Sequence, residues 1–273
     1  MRFAKIIEVG LRDGLQNERR ILPSHNKFHI INSLVRAGIK DIEITSFVNT
    51  KLLPQFEDNE HIARNVLNYV GVNYSALVPN EKGYFKLRES KSIKEAVLFV
   101  STSETFNKKN INSTLKEAFE KFNKISKLAK ADDIKLRGSI SCSFSCPYEG
   151  DISVDKVRDV IKRYNDIGVD RIDIADTIGT GTPEKLKRIL EGLDTRNITG
   201  HYHDTNGGAL KLVECSLDYG MDTFHSSIGG LGGCPFSSKI VGNLSTEKLL
   251  EYLKSKDIKT GIDLDKIKNI RIF

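Results

Sequence analysis

Only four cysteines occur in the 273 residues, Cys142, Cys146, Cys215 and Cys234, and no two of them form a CxxC pair. A chain of this size with so few thiols is not held by a disulfide framework. No apolar run approaches the roughly 20 residues that span a bilayer, so no membrane partner is expected. No targeting leader precedes the first strand pattern, which begins almost at Met1, and a cytoplasmic location is the expectation. The net charge is +6, yet the lysines and arginines are scattered along helical faces with no long basic block. Without basic clusters and interleaved aromatics, no nucleic-acid partner is expected. A mild positive field suits an anionic ligand instead, such as a carboxylate or a phosphate-bearing cofactor. Linkers and low-complexity tracts are also missing, so residues 1–273 read as one catalytic domain with one substantial core.

What the chain does have is alternation. Short β-rich runs fall at Ala4–Val9, Asp41–Ile44, Asn73–Leu77, Ala96–Val100, Lys135–Ser141, Arg171–Ile174, Thr199–His203 and Met221–Ser226. Amphipathic stretches lie between them, at Ser24–Ala37, Glu57–Asn68, Ser113–Ala131, Ser153–Ile167, Pro183–Gly192, Gly208–Tyr219 and Thr246–Lys254. Ile30, Ile31, Leu34 and Val35 give the first of these a helical stripe. Ser113 ahead of Glu117, and Thr182-Pro183-Glu184, read as helix starts. Gly38, Gly168 and Gly220 each close a helix just before a strand. Eight strands, each followed by a helical pattern, point to an α/β fold with a parallel sheet, and the strand count favours a closed (β/α)₈ TIM barrel over an open doubly wound sheet.

Polar chemistry collects at the strand ends. Arg12 and Asp13 stand side by side where the chain leaves Ile6-Ile7, Glu43 precedes Ile44-Thr45-Ser46, Asp176 ends another strand, and His201-Tyr202-His203-Asp204 ends a fourth. Structural accidents would not choose the same end repeatedly, and that end of a barrel is where such enzymes work. His201 and His203, two apart on a strand, point to the same face and suit one divalent metal. Asp204 is a candidate to orient an imidazole. Asp13 adds a carboxylate, and Asn243 an amide oxygen as fourth ligand; two nitrogens and two oxygens suit Mg²⁺ or Mn²⁺. Arg12, always charged and forked, suits an oxyanion. Cys234, within the run Gly229-Gly230-Leu231-Gly232-Gly233-Cys234-Pro235, is a candidate acid or base. Cys142 reads as a buried thiol. Glu43 and Asp176 are either structural acids, supports for metal-bound water, or orienters of Arg12.

The strings IIEVGLRDGLQNE, EITSF, NKKNIN, SCSFSCPYEG, ADTIGTGTP, HYHDTNGGA, GGLGGCPF and GNLSTE occur in order from about Phe3 to about Leu264. In these the chain resembles the 3-hydroxy-3-methylglutaryl-CoA lyases, a branch of the metal-dependent TIM-barrel lyases and synthases. RDGLQNE together with GLGGCP is specific to that branch; HxHD is shared more widely.

The resemblance implies cleavage of 3-hydroxy-3-methylglutaryl-CoA, an acyl-CoA substrate, to acetyl-CoA and acetoacetate, as in leucine degradation. It implies Asp13, His201, His203 and Asn243 as ligands of Mg²⁺ or Mn²⁺, and Arg12 as the residue that stabilises the enolate. It also implies Cys234 as the active-site thiol, and Glu43 and Asp176 as supports of metal waters and proton transfer. His201 or Asp176 is the expected base, and a homodimer is the expected assembly. A lyase for a related 3-hydroxy-3-alkylglutaryl-CoA is the alternative. A condensing synthase of the isopropylmalate or homocitrate type is less favoured, because Leu15 stands where those enzymes carry Glu and because GLGGCP is present. Two departures stand out. Leu11 replaces the usual proline before Arg-Asp-Gly, which bears on strand-exit geometry. The chain also ends soon after Gly261-Ile262-Asp263-Leu264, which bears on lid and subunit contacts.

Overall fold

The computed structural model describes residues 2–205, 207–232 and 242–272. Eight parallel strands close into a barrel: β1 (Lys5–Glu8), β2 (Asp41–Ser46), β3 (Asn73–Leu77), β4 (Ile93–Ser101), β5 (Lys135–Ser141), β6 (Arg171–Asp176), β7 (Ile198–Tyr202) and β8 (Thr223–Ser226). Each strand pairs with its neighbours in sequence, and β8 returns to β1 with His225 opposite Ile7 and Ser226 opposite Glu8. Helices cross between the strands and bury their apolar faces on the outside of the barrel. In α1 (Ser24–Arg36), for example, Ile30, Ile31 and Leu34 are buried.

Local chemistry explains the boundaries. The helix Leu115–Ala131 starts from a capping box: Thr114 accepts from the Glu117 amide at 3.2 Å while Glu117 accepts from the Thr114 amide at 2.8 Å. Its N-cap is therefore Thr114, one residue past the expected start. Gly38 has φ +100°, and a Cβ there would stand 2.6 Å from the Gly261 carbonyl oxygen, so only glycine closes that turn. The expected helix Glu57–Asn68 shortens to Asn59–Asn65. Val66 turns extended there, and its carbonyl accepts from Ser92 Oγ at 3.1 Å. Two further helices, Glu81–Arg88 and Glu104–Ile111, escaped the sequence reading. Each is eight residues long and mostly polar, with Gly83 inside the first, so periodicity is weak. Among the described residues no helix is long and apolar enough to cross a membrane.

Two irregularities position the functional end. After β1 the chain winds through one π-helical turn, Gly10–Gly14, in which the Gly14 amide bonds back to the Val9 carbonyl at 3.1 Å. Leu11, the residue in place of proline, is buried in that turn. The second irregularity is a shift of register in β2, where Glu43 faces Ser75 but Thr45 faces Ala76. One extra residue moves the inward set by one. Glu43 therefore points into the barrel, and Ser46 rather than Thr45 reaches the cavity beyond it.

Candidate active site

Asp13, His201 and His203 meet at the C-terminal mouth of the barrel, all buried. The last pair of β7 ends at Tyr202, and His203 continues in an isolated bridge to Asn243. That bridge brings a distant loop to the histidines. The two imidazole Nε2 atoms are 3.4 Å apart, and Asp13 Oδ2 lies 3.8 Å from one and 3.7 Å from the other. Donor atoms this close together would hold one divalent cation among all three after small side-chain shifts. Asn243 donates from Nδ2 to Asp13 Oδ2 at 2.7 Å and to the Leu231 carbonyl at 3.0 Å. The sequence expectation gave Asn243 an oxygen toward the metal. Here its nitrogen faces Asp13, because a carboxylate attracts a donor; a half-turn of the amide presents the oxygen. Gly232, at φ +111°, is pressed against this group: a Cβ would fall 2.4 Å from Asn243 Nδ2 and 3.1 Å from the Asp13 carbonyl.

The protonation states suit ligation. Burial drives His201 well below the usual imidazole range, against the pull of Asp13, so it is neutral. Burial works against ionised Asp13, yet Arg12 and the two histidines hold it well below the usual carboxylate range. Two imidazoles beside one carboxylate form a donor set for a divalent cation.

Arg12 leans on this cluster. Its NH1 donates to Asp13 Oδ1 at 2.6 Å and its Nε donates to Glu43 Oε1. Gln16 also donates to Asp13 Oδ1, at 2.9 Å, leaving Oδ2 for the histidines. The other oxygen of Glu43 accepts from Arg137 NH2 at 2.7 Å. Burial opposes its charge, but two arginines lower the Glu43 carboxyl below its usual range. Glu43 is thus a fixed anion that orients Arg12, one of the roles the sequence left open.

Asp176 is deployed differently. Its oxygens accept the amides of Thr180 at 3.0 Å and Gly181 at 2.8 Å, so it shapes the loop after β6, and burial raises its carboxyl. Asp204 does not orient an imidazole. It accepts from the Ala209 amide at 3.3 Å and from Lys248 at 3.1 Å, where it braces the start of the next helix. Cys142, Cys146 and Cys215 are free and buried, and burial pushes the Cys142 thiol up, as expected of a packed thiol. Cys234 lies outside the described residues.

Beneath the mouth sits a layer that the sequence reading missed. Arg137 is fully buried and touches Glu43, Ser75, Glu95, Asp173 and His225. The signal was present: Arg137 and Asp173 interrupt apolar strand patterns at inward positions. Above it, a cavity of about 600 Å³ opens from Arg12, Asp13 and the histidines. Leu53, Phe106 and Ile111 line its apolar side, and Lys109 and Lys121 bring positive charge.

Residues 4–273 match the HMGL-like family model. Human mitochondrial hydroxymethylglutaryl-CoA lyase is 41% identical over 267 residues, 96% of this chain and 82% of that protein. The mouse cytoplasmic 3-hydroxy-3-methylglutaryl-CoA lyase is 40% identical over 269 residues, 97% of this chain and 78% of that protein. Among solved structures, the HMG-CoA lyase of Brucella melitensis superposes with a TM-score of 0.94 at 38% identity, covering 98% of this chain and 96% of that one. An HMG-CoA lyase of Acinetobacter baumannii, solved with coenzyme A and 3-methylmalate, gives 0.92 at 33% identity, covering 97% and 88%.

Proposed function

The chain belongs to the HMGL-like family, and from that premise we propose that it cleaves 3-hydroxy-3-methylglutaryl-CoA to acetyl-CoA and acetoacetate. It is a carbon–carbon lyase. The observation that carries the reading is a single cavity in which Arg12 stands against Asp13, with His201 and His203 converging on the same carboxylate.

In this reading Asp13, His201, His203 and Asn243 would hold Mg²⁺ or Mn²⁺. A cation held there would supply Lewis acidity at the polar end of the substrate. The substrate is a tertiary alcohol placed β to a thioester. A base removes the hydroxyl proton, the C2–C3 bond breaks, and its electrons pass to the thioester oxygen as an enolate. Arg12, fixed by Glu43, meets that oxygen, and a donor placed before the charge develops is worth most in a buried site. Asp176 is the candidate base, since the ring nitrogens of His201 are taken up by the cation and by His225, and Cys234 is the candidate donor of the proton that carbon then takes up. The apolar side of the cavity takes the thioester arm, and Lys109 and Lys121 suit the phosphates of coenzyme A. Leucine breakdown is the setting we propose for the reaction and the cytoplasm its place, with a homodimer as the working assembly.

The test is release of acetyl-CoA by the purified protein, with Mg²⁺ or Mn²⁺, from a panel of 3-hydroxy-3-alkylglutaryl-CoA thioesters. Fastest turnover of the methyl compound is expected. A preference for a longer alkyl group reassigns the substrate, and condensation without cleavage overturns the lyase reading.

A further inference from the structure

His201 Nδ1 lies 3.0 Å from His225 Nδ1, and the two rings meet edge to face with centroids 5.0 Å apart. On its far side, His225 Nε2 lies 3.2 Å from Asp173 Oδ1. Asp173 is itself tied down, accepting from Thr199 Oγ1 and, at 3.0 Å, from Arg137 NH1. All five side chains are buried. The row Asp173–His225–His201 thus runs from the barrel interior to the mouth.

Hydrogen-bond bookkeeping in this row is restrictive. A neutral imidazole has one donor and one acceptor nitrogen. For His201 to offer the Nε2 lone pair to a cation, its proton must sit on Nδ1. The described partner of that N–H is His225 Nδ1, which must then accept. The His225 proton is consequently on Nε2, where the Asp173 carboxylate accepts it. A second arrangement competes, because Arg137 NH1 also lies 3.0 Å from His225 Nε2 and can only donate. With Arg137 donating there, His225 Nδ1 donates to His201, and the His201 proton moves to Nε2, which closes that ligand. The two arrangements carry the same two imidazole protons and differ only in where they sit.

We propose that His225, braced by Asp173, is a positioning residue that sets the tautomer and ring orientation of His201 for cation binding. The inference rests on the reading of Asp13, His201 and His203 as a metal cradle. It gives this histidine a partner that Asp204, its near neighbour in sequence, does not provide. Partners of this kind fix the donor nitrogen of a ligating imidazole, and their loss typically weakens metal affinity by about 10- to 100-fold.

The experiment measures Mg²⁺ and Mn²⁺ affinity by calorimetry for the wild type, His225→Leu and His225→Asn, with circular dichroism to monitor folding. Asn places an oxygen near the position of the lost Nδ1 and can accept from His201; Leu cannot. Affinity in His225→Leu should fall by about 10- to 100-fold, and His225→Asn should recover most of it. In ¹⁵N-histidine-labelled wild type loaded with Mg²⁺, His201 should read as Nδ1–H and His225 as Nε2–H. Equal affinity in wild type and His225→Leu overturns the inference alone, as does a His225 proton found on Nδ1 in the loaded protein. Wild type that binds neither metal overturns the underlying cradle with it. If the Leu variant does not fold, the wild-type tautomers and the Asn variant still decide.

Discussion

Arg12 and Asp13 are consecutive in the chain and paired in space: NH1 of the first donates to Oδ1 of the second at 2.6 Å within a buried π-turn. One carboxylate therefore serves several neighbours, with Oδ1 accepting from the arginine and Gln16 and Oδ2 facing the histidines and Asn243. Any change to one member of this group reaches the others.

Arg12→Met should lower kcat by about 10²–10³, the usual cost of losing one donor at a developing oxyanion, and should change KM far less. Arg12→Lys should restore little, since an ammonium cannot reproduce the fork that spans Asp13 and Glu43. Steady-state kinetics of both variants check this; a near-wild-type kcat in Arg12→Met removes the catalytic role.

Glu43→Gln should be costly to the fold as well as to turnover. It leaves two buried arginines sharing one neutral amide, and breaking a buried pair costs roughly 3–5 kcal/mol. Urea unfolding read by circular dichroism should show that loss. A variant as stable as the wild type would mean that Glu95 and Asp173 balance Arg137 without it.

Chelation should abolish turnover, and Mg²⁺ or Mn²⁺ should restore it. His203→Ala should bind either ion more weakly in calorimetry. Full turnover by metal-stripped protein ends the metal assignment.

Glu8 sets a pH dependence. Burial raises its carboxyl from 4.5 to about 7, against hydrogen bonds from Thr246, Ile228 and Gly10. A raised carboxyl stabilises the fold below the unfolded pKa, and that stability is lost as pH rises from 4.5 toward 7. The amount is roughly 3 kcal/mol at about 1.4 per pKa unit. Glu8→Gln copies the neutral form, so its stability should vary less with pH across that window. Parallel denaturation curves for both proteins at pH 4.5 and 7.5 would refute this.

Alkylation should map to Cys234. Cys142, Cys146 and Cys215 are buried, and buried thiols react slowly. Substrate should protect, and Cys234→Ala should keep metal while losing most turnover. Label found first on Cys142 would move the assignment.

The barrel was legible because its code is local. Each strand is a short apolar run, and Gly38, Gly168 and Gly220 mark the helix ends. His201 and His203 were legible for the same reason, since period two puts both on one face. The Arg137 layer was not read, because its partners come from separate strands and nothing nearby in sequence announces them. The same holds for His225. Asp204, adjacent to His203, was the obvious partner for an imidazole, but the chain turns there and sends it to Ala209 and Lys248. Side-chain direction at a strand exit depends on the turn that follows, which a pattern of residue types does not encode.

Arg137 also bears on the order of assembly. Its contacts with Glu43, Ser75, Glu95, Asp173 and His225 span 94, 62, 42, 36 and 88 positions of sequence. They come from five different strands, so the guanidinium is fully matched only when β2, β3, β4, β6 and β8 all surround it. An open sheet leaves this guanidinium either hydrated or facing only some of its carboxylates, and dehydrating it early is costly. The layer thus ties the charge balance of the barrel interior to strands far apart in sequence, and long-range contacts of this kind slow folding.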